Sequence, residues 1–200
     1  MKILLAITGA SGAIYGLRLA EELLKAGVNL TLTASTSGIG VCQLETGIKL
    51  GGDPAEVAHN LSNRWQTPLD HLNVRDINDL WAAEASGSAA PDAMIVAPCS
   101  MGTLGRIAAG ISGNLLERAA DVMLKESRTL ILVPRETPLS AIHLENMLKL
   151  CHAGARLVPA MPAFYHQPQT MEALVDFVVG KVLDQAGISH NLFARWGDTP

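Results

Sequence analysis

Short apolar runs alternate along this chain with longer amphipathic stretches. Residues 2–8 are almost continuously apolar and predict a buried strand, and 13–26, rich in Leu, Ala and Glu, predicts the helix that follows. Alternation over 29–34 predicts a second strand, with Ala26-Gly27 as the helix stop between them. Two more continuous apolar runs, 93–97 before Pro98 and 129–133 before Pro134, read as buried strands, and 156–159 as a shorter one. Helical patterns occupy 102–109, 115–126, 140–153 and 171–184. The stretch 51–90 is the least regular and reads as two helices with a minor strand near 72–75. Strands alternating with helices imply right-handed crossovers and a parallel sheet covered on both faces. With no repeat and no linker, residues 1–200 form one α/β domain.

In an open parallel sheet, ligands sit outside the carboxyl ends of the strands. The residues to inspect are therefore 9–12, 35–37, 99–103, 135–136 and 164–167, which are rich in Gly, Ser, Thr, Arg and Glu. Composition narrows the classes. At 200 residues and 48% apolar, with a mean hydropathy of +0.24, the chain can bury a real core and is not disordered. Charged residues make up 17%, below the roughly 25% of typical domains, which favours self-association. A net charge of −4 and a pI near 5.8 argue against a nucleic-acid surface. Cys42, Cys99 and Cys151 show no metal-type pairing and read as reduced thiols. The apolar amino-terminal run is interrupted at Thr8-Gly9, too early for a secretion signal, and no run is long enough to span a membrane. The expectation is a cytoplasmic protein. Six histidines, His143 and His166 among them, offer no metal-ligand spacing, so no metal is expected.

Gly9-Ala10-Ser11-Gly12-Ala13-Ile14-Tyr15-Gly16 joins the first strand to the first helix. Its glycines allow close backbone approach, and N–H groups at the helix start attract an anion. No Gly-Lys-Ser/Thr follows, and the second strand ends in Ala34-Ser35-Thr36 rather than an acid that would hold a ribose. A mononucleotide phosphate suits the loop better than a dinucleotide, although a plain tight turn would look the same. Ser100 caps a helix or hydrogen-bonds a ligand, and Cys99 resembles a nucleophile only superficially. Arg118 and Lys125, seven apart, share a helix face with Asp121 between them. They form either an ion-paired solvated face or part of an anion site. Arg135-Glu136 directly follows a strand, on the expected ligand side, where cations would suit a phosphorylated substrate and a carboxylate could serve as acid or base.

Several longer motifs resemble those of the UbiX-type flavin prenyltransferases. They are residues 9–16, Cys99-Ser100-Met101-Gly102-Thr103, the stretch 113–126, Leu132-Val133-Pro134-Arg135-Glu136-Thr137-Pro138, Pro162-Ala163-Phe164-Tyr165-His166-Gln167-Pro168-Gln169 and Phe193-Ala194-Arg195-Trp196. They span nearly the whole chain in order. The resemblance implies a three-layer, Rossmann-like, flavodoxin-related subunit that assembles as a dodecamer. It implies transfer of a dimethylallyl group from dimethylallyl monophosphate to N5 and C6 of reduced FMN, without a metal. The product, prenylated FMN, serves a UbiD-type decarboxylase in ubiquinone biosynthesis or aromatic-acid decarboxylation; members were formerly described as 3-polyprenyl-4-hydroxybenzoate decarboxylases.

The resemblance also implies residue roles. Gly9, Ala10, Ser11, Ser35, Ser100, Met101, Gly102, Thr103 and Arg135 match flavin-binding positions, with Ser11 near N5. Arg118, Lys125, Arg135, Tyr165 and Lys181 match positions that hold the prenyl phosphate, and Trp196 an aromatic beside the prenyl group. Lys181 is often Arg in relatives, and Lys keeps the charge without the bidentate fork. Glu136 matches the acid/base, with Glu45, Ser11 and Lys125 as further catalytic positions. The segment 185–200 is expected to pack over the site or over a neighbouring subunit. Two other readings remain open: an FMN-dependent decarboxylase of the cysteine-decarboxylase type, and a non-catalytic FMN carrier.

Overall fold

In the computed structural model, which describes residues 1–65 and 69–197, six parallel strands line up in the order β3-β2-β1-β4-β5-β6. They are β1 (Lys2–Ile7), β2 (Asn29–Ala34), β3 (Leu72–Val74), β4 (Ala93–Cys99), β5 (Thr129–Pro134) and β6 (Arg156–Leu157). Seven helices cover them: α1 (Ala13–Lys25), α2 (Thr36–Thr46), α3 (Pro54–Arg64), α4 (Met101–Ala108), α5 (Leu115–Lys125), α6 (Ala141–His152) and α7 (Met171–Ala186). The two-residue period of a strand sends alternate side chains to opposite faces. Ile3, Leu5 and Ile7 enter the core shared with α1, α3 and α7, and Leu4 and Ala6 enter the core shared with α4, α5 and α6. Both faces of the central strands are dry, as their unbroken apolar runs require.

The three-layer Rossmann-like architecture expected from the sequence is thus present, and the strand order reverses between β1 and β4. Two local expectations need correction. Among the described residues, 51–90 hold one α-helix, α3, and two short 3₁₀ turns (Ala83–Ala85 and Gly87–Ala89) in place of two helices. Helix α2 has no counterpart in the sequence reading. Its sequence TSGIGVCQLET carries two glycines, each costing about 1 kcal/mol against Ala in a helix interior. It forms because Ser35 caps it by accepting from Gly38 N at 3.0 Å, and Gly47 closes it at φ 75°. Gly38 is there for space: a Cβ would lie 2.4 Å from the Ile7 carbonyl oxygen. The amino end of α2 is thereby seated directly on the carboxyl end of β1.

Among the described residues, no helix is long and apolar enough to cross a membrane.

Candidate active site

The reversal between β1 and β4 opens a crevice at the carboxyl edge of the sheet, where crossover helices diverge to opposite faces. Thr8, fully buried, ties its walls together. Its hydroxyl donates to the Pro98 carbonyl at 2.7 Å and accepts from Ser100 N at 2.8 Å, locking the loop after β1 to the loop after β4. Gly9 follows, and a Cβ on it would fall 2.5 Å from Ser37 Cβ. The loop 9–11 and the amino end of α2 therefore touch. The backbone N–H groups of Gly9, Ala10 and Ser11 have no protein partner among the described residues. Such a cradle of free N–H groups and hydroxyls (Ser11, Ser35, Ser37) fits the phosphate of a mononucleotide.

The amino end of α1 is not part of that cradle. Gly12 cannot cap it with a side chain, and Glu45 from α2 does so instead. Its Oε2 accepts from Gly12 N and from Ala13 N, both at 2.9 Å. Burial pushes the Glu45 pKa up, but bonds from the Ser11 hydroxyl, Ala13 N and Gly12 N, together with the charge of Arg135, hold it below the usual carboxylate range. The anion that the sequence reading assigned to this helix start is thus one of the protein's own. The N–H groups still open to a ligand anion are those of residues 9–11 beside the start of α2.

Ser100 caps α4, accepting from Thr103 N at 3.3 Å and donating to Thr103 Oγ1 at 3.1 Å. Met101 and Thr103 are buried and Gly102 is exposed, so this turn offers its backbone and the Ser100 hydroxyl to the crevice. Cys99 is fully buried, and burial pushes its thiol up to about 12 despite Arg106 and the Leu104 N–H. It is no nucleophile.

Arg135 leaves the end of β5 and reaches across β4 and β1, its Nε donating to the Ser11 carbonyl at 2.9 Å. Beside this bridge lies a cavity of about 320 Å³. Ser11 and Arg135 line its polar end, and Ile14, Tyr15, Leu174 and Val175 its apolar remainder. Burial raises the Tyr15 phenol, which Arg135 only partly offsets. Glu136, half-buried, takes the Thr137 N–H at 3.2 Å and has no cationic partner among the described residues.

Tyr165, Lys181 and Trp196 come together around α7. The rings of Tyr165 and Trp196 meet edge to face at 5.2 Å. Lys181 Nζ lies over Phe177 at 5.7 Å and over Phe193 at 5.3 Å. Arg195 pairs with Asp184 at 2.8 Å, strapping the segment that carries Phe193 and Trp196 onto α7 of the same chain. Residues 198–200 of the expected covering segment lie outside the described residues. The sequence reading gave no site role to Thr8 or Phe177, and took Phe193 only as part of a motif. Thr8 was legible only as a polar break after an apolar run, and Phe177 only as an apolar position in a helical pattern.

Lys125 is not brought to Arg135 within one chain, and among the described residues Arg118 bonds to groups other than those around Arg135. Arg118 donates to the Ala85 carbonyl at 3.2 Å and pairs with Asp121 at 2.7 Å, an ion-paired flank of α5. Lys125 pairs with Glu126 and abuts Gly87, near where β4 begins. Because α5 runs antiparallel to the strands, Lys125 ends at the amino edge of the sheet. That is about a strand length, roughly 17–20 Å, from Arg135.

Residues 1–183 match the Flavoprotein family. The chain is 52% identical to flavin prenyltransferase UbiX of Halalkalibacterium halodurans, over 96% of this chain and 91% of that one. It is 48% identical to flavin prenyltransferase UbiX of Pseudomonas aeruginosa, over 98% and 94%. Among solved structures it superposes with a TM-score of 0.86 on a dodecameric FMN-dependent UbiX-like decarboxylase from Escherichia coli O157:H7, at 42% identity over 98% and 99% of the two chains. AnUbiX in complex with FMN and dimethylallyl pyrophosphate gives a TM-score of 0.85 at 40% identity, over 98% and 97%. The peptidyl-cysteine decarboxylase EpiD, at 20% identity and a TM-score of 0.59 over 91% and 98%, shares the fold. Matched from end to end at these identities, the chain belongs to the UbiX flavin prenyltransferases of the Flavoprotein family.

Proposed function

We propose that this chain transfers a dimethylallyl group from dimethylallyl monophosphate to reduced FMN, giving prenylated FMN. The observation that carries this reading is the cavity beside the β1 loop, lined by the bridged pair Arg135 and Ser11 and otherwise by mostly apolar side chains, with the Tyr15 ring among them. It suits a small molecule that is anionic at one end and apolar for the rest. A carboxylate substrate of the cysteine-decarboxylase type has less use for the several cations assigned here, and that branch shares only the fold with this chain.

Reduced FMN supplies the nucleophile, the allylic C–O bond breaks as inorganic phosphate leaves, and the two new carbon bonds form at N5 and C6. The free N–H groups of residues 9–11 and the starts of α2 and α4 hold and orient the flavin, with Ser11 near N5. Arg135 and Lys181 stabilise charge on the departing phosphate, and Tyr165 donates a hydrogen bond to it. The face of Trp196 favours positive charge on the prenyl group. Glu136, with no cationic partner among the described residues, accepts the proton displaced from the flavin ring, and the phosphate dianion serves as a relay. Glu45 keeps the loop that presents Ser11 in place.

Arg118 and Lys125 take part when a second copy of the chain presents its α5 to this crevice. That places the complete phosphate site at a subunit interface and is consistent with a homo-oligomer, a dodecamer as in the E. coli structure. The product would be handed to a UbiD-type decarboxylase, in ubiquinone biosynthesis or aromatic-acid breakdown. Three unpaired cysteines suit a reducing cytoplasm. The test is anaerobic incubation with reduced FMN and dimethylallyl monophosphate, then mass spectrometry of the released flavin. A gain of one C5H8 unit supports the reading. Unmodified flavin at saturating substrate overturns it and leaves the carrier.

A further inference from the structure

Tyr165 sits in a tight turn, with Gln167 N donating to the Phe164 carbonyl at 3.0 Å and Gln167 itself in the left-handed region at φ 52°. His166 is the next residue of that turn. Both its ring nitrogens are buried and without a hydrogen-bond partner among the described residues. Buried polar atoms are nearly always satisfied, so this imidazole is not held in place by its nitrogens. Its ring faces do the holding. It lies flat on Phe177, with centroids 5.3 Å apart and planes within 8°, and it meets Tyr165 edge to face at 5.6 Å. Phe177 stands four residues before Lys181 on α7, so the two share one face of the helix. Lys181 Nζ rests over that same Phe177 ring. Tyr165, His166, Phe177 and Lys181 therefore form one cluster, in which the turn meets the helix twice: the imidazole lies flat on Phe177, and Tyr165 touches the same ring edge to face at 5.8 Å.

We propose that His166 is a positioning residue for prenyl-phosphate binding: clamped between Phe177 and Tyr165, its ring fixes the Tyr165 hydroxyl at a set distance from the Lys181 ammonium. The inference rests on the reading above that Tyr165 and Lys181 hold the substrate phosphate. Without the ring, the 164–167 turn keeps only the edge contact of Tyr165 on Phe177, at 5.8 Å, and Tyr165 samples positions from which it does not reach the phosphate. The flavin cradle lies on other loops and is untouched.

The experiment compares His166→Ala, His166→Asn and His166→Phe, with Tyr165→Phe and Lys181→Ala alongside, in the full-length oligomer. KM for dimethylallyl monophosphate, kcat, FMN affinity and thermal midpoint are measured for each. His166→Ala and His166→Asn are expected to raise KM about tenfold, with kcat and FMN affinity nearly unchanged. His166→Phe, which keeps a flat ring and removes both nitrogens, is expected to return KM close to the parent value. A His166→Phe variant as impaired as His166→Ala would mean that the nitrogens act directly and would overturn the proposal. So would an unchanged KM in His166→Ala while Tyr165→Phe and Lys181→Ala raise it, an outcome that leaves the phosphate reading standing. Unchanged KM in Tyr165→Phe and Lys181→Ala overturns both. Should His166→Ala fail to fold, His166→Asn against His166→Phe makes the same comparison.

Discussion

Glu45 caps a helix to which it does not belong: its Oε2 lies 2.9 Å from the backbone N of Ala13, the first residue of α1. The bond joins two helices that flank the crevice and closes an anion-attracting helix end with a fixed charge. The neighbouring N–H groups of residues 9–11 are left open to a ligand anion, and the Ser11 hydroxyl bonds to Glu45.

Replacing Glu45 with Ala should cost about 1 kcal/mol, the worth of a helix cap, or about 3 °C in a chain of this length. The pH dependence has a definite sign. Glu45 is held below its unfolded value, so its contribution is complete above the ordinary Glu pKa of about 4.3 and fades as pH falls through the lowered folded value. Thermal unfolding at pH 7 should separate Glu45→Ala from the parent, and the gap should begin to narrow below about pH 4 and vanish once the folded carboxyl is protonated. A gap that persists in acid would mean that the carboxylate charge is not what caps α1.

Much of the scaffold was legible. The strand at 29–34 forms over those residues, and each of the other apolar runs became a strand within a residue or two. Strand-end logic pointed to Ser11, Ser100 and Arg135, and all three line the crevice. What resisted reading has physical causes. Helix α2 is weak by propensity and exists because Gly38 lets it sit on β1. Glu45 is exposed and lies 32 residues from the helix start it caps, a pairing no local pattern encodes. Spacing placed Arg118 and Lys125 on one helix face correctly, but a face is not an end. The direction of α5 against the sheet decides that Lys125 lies far from Arg135.

Cys99 separates a buried structural thiol from a reactive one. Its pKa of about 12 leaves almost no thiolate at neutral pH, and Cys42 is likewise raised by burial. A thiol reagent at pH 7 should modify at most the exposed Cys151 in the native chain and all three cysteines after denaturation. Cys99→Ala should keep its turnover and lose about 1 kcal/mol of stability to the small cavity. Loss of turnover with flavin still bound would give Cys99 a chemical role.

Gly9 and Ser37 should show compensating effects. Gly9→Ala forces a Cβ to within 2.5 Å of Ser37 Cβ, which pushes the α2 start away from the β1 loop. FMN affinity should fall at least about tenfold, or about 1.4 kcal/mol. Adding Ser37→Gly removes the clashing atom, and flavin titration should then recover much of the loss. Ser37→Ala keeps the Cβ and should not rescue. Equal rescue by the two would show that the hydroxyl, rather than the contact, matters.

Subunit mixing tests whether Lys125 serves a neighbour's site. Lys125→Ala and Glu136→Gln subunits should each be nearly inactive alone. Every subunit of a co-assembled mixture carries one lesion, so a site built within one chain stays inactive in all combinations. A site that pairs Glu136 of one copy with Lys125 of the next is intact wherever a Lys125→Ala subunit receives α5 from a Glu136→Gln neighbour. In a random equal mixture of a symmetric assembly, that is about a quarter of sites. Co-expression with two tags and purification through both would yield the mixed oligomer, and prenylated flavin formed per subunit is the readout. Activity near a quarter of the parent requires the shared site. Activity at the level of the single variants would confine Lys125 to an ion-paired surface at the amino edge of the sheet, and the substrate phosphate would then be held by Arg135, Tyr165 and Lys181 alone.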